Sequence, residues 1–276
     1  MKVLRRLARN PLAWTGGVIA VLILFAAVLG PTLAPYDVNR PDLRERLQAP
    51  SFRHLLGTDH TGADVLSRIL YGARVSLVIG VGASALTLVL GVLFGTLAGY
   101  HGGWLDHLVM RMVDVWLAFP ELLLVIILAA VMGPSLVSVF LAIGLANWAP
   151  VARLVRSQVL SLRERDFVTA ARALGADDLT ILLRHILTNC TSLLLVVFTM
   201  RLGTMILAEA SLTFLGLGSV NQANSWGLMV RFAGSDFDRY WQALFPATAI
   251  ALTVVGFNLL GDALRDALDP TFRLNR

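Results

Sequence analysis

The sequence is short of charge. Only 15% of its 276 residues are Asp, Glu, Lys or Arg, against about a quarter in a soluble domain. A single cysteine, Cys190, excludes an internal disulfide and leaves the compartment open; it reads as a small packing residue. No Cys/His cluster has zinc spacing, and His101, His107 and His185 share no periodicity, so no metal site is expected. No basic stripe alternates with aromatics, so the net charge of +5 does not indicate nucleic acid. There is no G-x-x-x-x-G-K-[ST] loop to cradle phosphates. The apolar stretches hold no convergent His, Asp or Ser for a membrane enzyme. They also show no internal repeat of the kind ion-driven carriers carry. Neither a catalytic residue nor a cofactor-binding residue is expected in this chain.

What remains is apolar. The chain is 57% hydrophobic with a mean hydropathy of +0.72, which indicates an all-α integral membrane protein. Six stretches (12–29, 75–100, 112–132, 136–151, 189–215 and 243–260) read as six transmembrane helices crossing a hydrocarbon core of about 30 Å. The first follows a basic segment with Lys2, Arg5, Arg6 and Arg9, an arrangement shared with signal peptides. Pro35 directly follows the small-residue site Thr32-Leu33-Ala34, which argues against cleavage. Residues 31–74 form a polar loop, whose part 64–74 reads as an amphipathic helix lying at the interface. Residues 101–111 read as a short polar turn, in which Asp114 just beyond pairs back with Arg111. The third stretch is interrupted at Phe119-Pro120-Glu121, and Gly133-Pro134-Ser135 is a tight turn. Trp226 and Trp241 read as interfacial anchors. Gly91, Gly95 and Gly99, four residues apart, place a flat stripe on one helix face for close helix packing. Arg201 lies mid-span, where an arginine must face protein or water; it is a pathway candidate, or else fixes packing through an intramembrane ion pair.

Arginine distribution sets the orientation. One set of connections holds Lys2, Arg5, Arg6, Arg9, Arg111, Arg153, Arg156, Arg163, Arg165, Arg172, Arg184, Arg265, Arg273 and Arg276. Arginines on the other side fall mostly in one long loop, which counts less. Both termini and residues 152–188 are therefore expected in the cytoplasm. Within that segment, residues 163–186 carry two short apolar patterns, Phe167-Ala170-Ala171-Leu174 and Leu179-Leu182-Leu183-Ile186, separated by Gly175. By periodicity alone this is either a docking device or an amphipathic loop on the membrane surface. The division expected is 1–74, holding the tail, the first helix and the extracytoplasmic loop, and 75–276, a core transmembrane domain with a cytoplasmic loop at 152–188.

Thr169-Ala170-Ala171-Arg172-Ala173-Leu174-Gly175 resembles the E-A-A-x-x-x-G signature in the cytoplasmic loop of bacterial ABC importer permeases. Leu56-Gly57-Thr58-Asp59, Tyr71-Gly72-Ala73-Arg74, Ala118-Phe119-Pro120, the run from Glu209 to Gly218, Ser225-Trp226-Gly227, and the run from Phe257 to Pro270 extend the match over nearly the whole chain. The chain thus resembles the C-type permease of the dipeptide, oligopeptide and nickel family. The resemblance implies the type I importer permease fold and an inner-membrane location. It implies a homologous second permease, two ABC ATPase subunits that bind ATP and Mg, and an extracytoplasmic solute-binding protein. It also implies ATPase docking through Asp166, Phe167, Thr169, Ala170, Ala171, Ala173, Leu174, Gly175 and Ala176. Peptide is the implied cargo, with nickel or a nickel chelate as the alternative. Two positions depart from the pattern: Thr169 replaces the signature carboxylate, and Leu187-Thr188-Asn189 stands where a proline is usual.

Overall fold

The computed structural model describes residues 7–8, 10–218, 224–234 and 237–268. Lys2, Arg5, Arg6, Arg9, Asp269, Pro270, Arg273 and Arg276 lie outside the described residues. Among those described, the chain is helical, with one isolated β-bridge between Thr58 and Asp64.

Four helices are long and apolar enough to cross a bilayer unbroken: α1 (Pro11–Leu33), α2 (Val65–His101), α8 (Asp178–Phe214) and α10 (Trp241–Leu268). Two further crossings are bent pairs. α3 (Gly103–Leu117) and α4 (Glu121–Met132) meet at 90°, and α5 (Leu136–Ala146) and α6 (Trp148–Arg163) meet at 40°. The count is four spans, or six with each bent pair taken as one. α7 (Asp166–Ala173) and α9 (Trp226–Ala233) are short.

Local chemistry sets the boundaries. Asn10 accepts from the Leu12 amide to cap α1, and Pro11 occupies the first helical position, where no amide is needed. Asp64 accepts from the Ser67 amide at 2.8 Å and caps α2. Pro120 breaks the third span because it fixes its own backbone and excludes helix at Phe119.

Several sequence expectations change. Residues 64–74 are not a separate interfacial helix: α2 runs unbroken from Val65, and the expected division at 74/75 falls inside it. At 37 residues the helix is about 55 Å long, more than a core of about 30 Å requires. The polar turn at 101–111 contracts to Gly102 and Gly103, both at positive φ, and α3 starts at once. Asp114 pairs with Arg153 at 2.6 Å rather than with Arg111. Trp226 and Trp241 are buried and donate their indole N–H groups to the Ile69 and Thr58 carbonyls, so they staple the bundle instead of anchoring it in headgroups.

The central packing seam joins α2 to α6. A Cβ on Gly95 would lie 2.6 Å from the Ala152 carbonyl oxygen, and one on Gly91 2.4 Å from a Val151 methyl. Only glycine admits that approach. α8 closes on α2 where the buried Glu209 accepts from Ser76 and Thr213, each at 3.0 Å. At the end opposite the short helix α7, the loop 34–64 is tied to α2. Buried Arg68 pairs with buried Asp59, and His54 sits between Asp64 (3.0 Å) and Glu45 (3.2 Å). Burial alone would push the Asp59 carboxyl up; the Arg68 charge and the Thr61 hydrogen bonds outweigh it and hold it below the usual range.

Two outcomes follow from this packing. Gly95→Ala should cost about 1–3 kcal/mol by overpacking a backbone contact, read as a lower Tm in detergent, whereas Gly17→Ala, with open space around it, should not; equal Tm values would contradict the seam. Arg68→Met strands a buried carboxylate and should cost about 3–5 kcal/mol. Because the folded pKa of Asp59 is depressed, its contribution is complete above the unfolded value of about 3.9 and fades as pH falls through the lower folded value. The loop should therefore loosen only in stronger acid, which limited proteolysis against pH would reveal; loosening near pH 6 would contradict this.

Candidate functional site

α6 leads into a compact hairpin. Its last turn closes with the Arg165 amide on the Leu162 carbonyl, and α7 begins one residue later. α7 lies against the bundle through Val168, fully buried, and Ala171. Both join a cluster with Tyr100, Val155, Val159, Ile181 and Ile186. The helix then stops in a paired closure. Ala176 donates to the Ala171 carbonyl (3.1 Å) and Gly175 to the Arg172 carbonyl (3.0 Å), with Gly175 at φ +85°. No atom lies within 4 Å of a Cβ built there, so the left-handed backbone and not space demands glycine. Asp177 accepts from the Thr180 amide and caps α8; the bonds from Thr180 hold its carboxyl below the usual range.

The exposed side of the hairpin carries Asp166, Phe167, Thr169, Ala170, Ala173, Leu174 and Gly175. Leu174 is 89% exposed, and Phe167, Leu179 and Leu183 are also exposed. Of the nine residues expected to dock, Ala171 does not belong to that surface: it packs inward, and Ala176 is partly buried beside it. Helical spacing groups Phe167-Ala170-Ala171-Leu174, whereas the buried pair is Val168 and Ala171, three apart. In the second arm the expected apolar face also divides. Ile186 is buried and Leu182 partly so, while Leu179 and Leu183 point out.

The two atypical positions are both structurally legible. Thr169 lies on the exposed face of α7. Where proline is usual, the first turns of α8 open into a π-helical stretch, Ile181–Leu187. There the Thr188 hydroxyl donates to the Leu183 carbonyl (3.2 Å) and the Asn189 amide to the His185 carbonyl (2.6 Å). Side chains thus satisfy carbonyls that the wide turn displaces. Without a proline, the second arm runs directly into the long helix.

The end of α2 reaches both arms, which sequence reasoning did not find. Arg163 donates to the Gly99 and Tyr100 carbonyls (3.4 and 3.0 Å), capping α2. The Tyr100 hydroxyl donates to Asp178 at 2.5 Å. Further along, Arg156 makes a two-pronged pair with Asp106 of α3. A tyrosine at the last turn of an apolar helix just before Gly102-Gly103 was the only available signal.

Arg201 does not join this site. It is partly buried and donates to Asn147 at 3.2 Å, at the bend between α5 and α6. It therefore meets a neutral amide, which is not the acid that the ion-pair alternative requires. Among the described residues, no group of three His, Cys, Asp or Glu side chains is arranged to hold a metal ion.

Comparisons with known proteins agree along the chain. The family model described as binding-protein-dependent transport system inner membrane component matches residues 91–274. That of the N-terminal TM domain of oligopeptide transport permease C matches residues 2–50. The glutathione transport system permease protein GsiD of Escherichia coli O6:K15:H31 is 45% identical over 271 residues, covering 98% of this chain and 89% of the relative. The dipeptide transport system permease protein DppC of Alkalihalophilus pseudofirmus is 42% identical over 274 residues, covering 98% and 89%. With its bundle of apolar helices, this chain belongs to the family of inner-membrane permease components of binding-protein-dependent transport systems, in the C-type branch of the peptide and nickel group.

Proposed function

We propose that this chain forms half of the translocation pathway of an ATP-driven importer of dipeptides or oligopeptides, and that the hairpin around Gly175 is where a separate ATPase docks. The observation that carries the docking reading is the apolar outer surface, Phe167, Leu174 and Leu179, held on a hairpin whose other face is locked into the bundle. A rigid base under exposed apolar side chains suits a partner's groove. A second, homologous permease completes the pathway, and two ABC ATPases bind ATP and Mg, which this chain does not. A solute-binding protein delivers cargo to the connections at the other end, 34–64 and 216–240; of the second, residues 219–223 and 235–236 lie outside the described residues. The arginine tally supports cytoplasmic termini and a cytoplasmic hairpin. Arg201 is proposed to border the pathway at the bend near Asn147. Two relatives named for glutathione and dipeptide transport support peptides over nickel. ATP binding closes the ATPases, which favours one arrangement of the two bundles through contacts that differ between states; hydrolysis reverses it.

Leu174→Asp should leave the protein in the membrane while ATPase recovery in pull-down falls about tenfold or more, since a buried leucine contributes about 1.5–3 kcal/mol. Normal recovery would sink the docking site. Single cysteines at Ala173 and Phe52 should react with impermeant reagent from opposite sides of the membrane; reaction from the same side would overturn the orientation.

A further inference from the structure

The geometry points to α2 as the member that carries movement of the docking hairpin into the bundle, with Tyr100 and Arg163 as its positioning residues. The inference rests on the docking reading above and goes beyond it. The hairpin has two covalent exits, α6 on one side and α8 on the other, and through those alone movement would reach α2 only sideways, across the glycine seam and the Glu209 contact. Yet the end of α2 is tied to both arms. Arg163, just before α7, holds the Gly99 and Tyr100 carbonyls; Asp178, just after the Gly175 turn, holds the Tyr100 hydroxyl. Tyr100 is otherwise buried in the cluster that seats Val168 and Ala171.

From that end, α2 runs unbroken for 37 residues without a proline, a rod of about 55 Å. Its glycine face is pressed on α6, and Ser76 binds Glu209 of α8. Its far end holds the loop 34–64 through Arg68 and Asp59, with Asp64 capping the helix and gripping His54. A displacement of the hairpin therefore pulls on a single rigid element whose other end holds the loop proposed to face the binding protein. The bent spans are poorly suited to this, since each yields at its break.

Tyr100→Phe separates the two routes, because it removes one hydroxyl and leaves both covalent exits intact. The assembled complex in liposomes is assayed for peptide taken up per ATP hydrolysed, and for ATPase recovery in pull-down. Tyr100→Phe and Asp178→Ala should each lower uptake per ATP about tenfold, as expected for a lost hydrogen bond to an acidic group. ATPase recovery should be retained in both. The double variant should be no worse than the more severe single, because both remove the same bond. Asp178→Asn keeps the acceptor and should restore uptake per ATP. The proposal is overturned if either single variant leaves uptake per ATP unchanged, if the two losses multiply, or if Tyr100→Phe releases the ATPase. Normal ATPase binding by Leu174→Asp would instead defeat the docking reading on which the inference rests.

Discussion

The close approach of α2 to α6 is the contact on which the rest of the structure depends. In lipid there is no hydrophobic force pressing two apolar helices together, so packing and hydrogen bonds must do it. Gly91, Gly95 and Gly99 let the backbones meet, with a Cβ on Gly99 only 2.9 Å from the Arg156 carbonyl. That spacing fixes the register of α6. In this register Arg163 reaches the end of α2, Arg156 reaches Asp106, and Arg153 reaches Asp114. α7 then emerges directly beneath Tyr100, where Val168 and Ala171 find their cluster. Had the seam been one side chain wider, Arg163 would be drawn away from the Gly99 and Tyr100 carbonyls.

Around this seam the bundle is interrupted in three places, and each interruption is met by protein. At the Pro120 break, the Ala118 and Phe119 amides bond back to the Asp114 and Trp116 carbonyls. At the Asn147 bend, Arg201 and the Ile143 carbonyl take up the amide. At the π-helical stretch, Thr188 and Asn189 serve the displaced carbonyls. The first two breaks fall in apolar spans, where irregular backbone is tolerated if the protein satisfies it. These breaks make α3–α4, α5–α6 and the base of α8 the yielding parts, and α2 the stiff one.

Much of this was legible in the sequence. The apolar stretches, the Pro120 break, the Gly175 turn and the four-residue glycine spacing are local patterns, and local patterns survive in a single sequence. The failures share a cause. The first turns of α2 read as a surface helix because Ser67 and Arg68 are polar, yet both are buried, and only tertiary structure supplies Asp59 and Asp64 as their partners. Trp226 and Trp241 looked interfacial because only tertiary structure supplies the Ile69 and Thr58 carbonyls they bind. Asp114 was matched to the nearest arginine, though its partner lies 39 residues away. The tie between Tyr100 and Asp178 spans 78 residues, and no periodicity records it.

The central claim is that α2, α6 and the hairpin form one body. Spin labels at Leu97 on α2 and Glu164 at the start of the hairpin, both exposed, test it by the distance between them in the assembled complex, first without ATP and then during hydrolysis. The account predicts one distance distribution that does not change. A shift on adding ATP, or a second population, would contradict it.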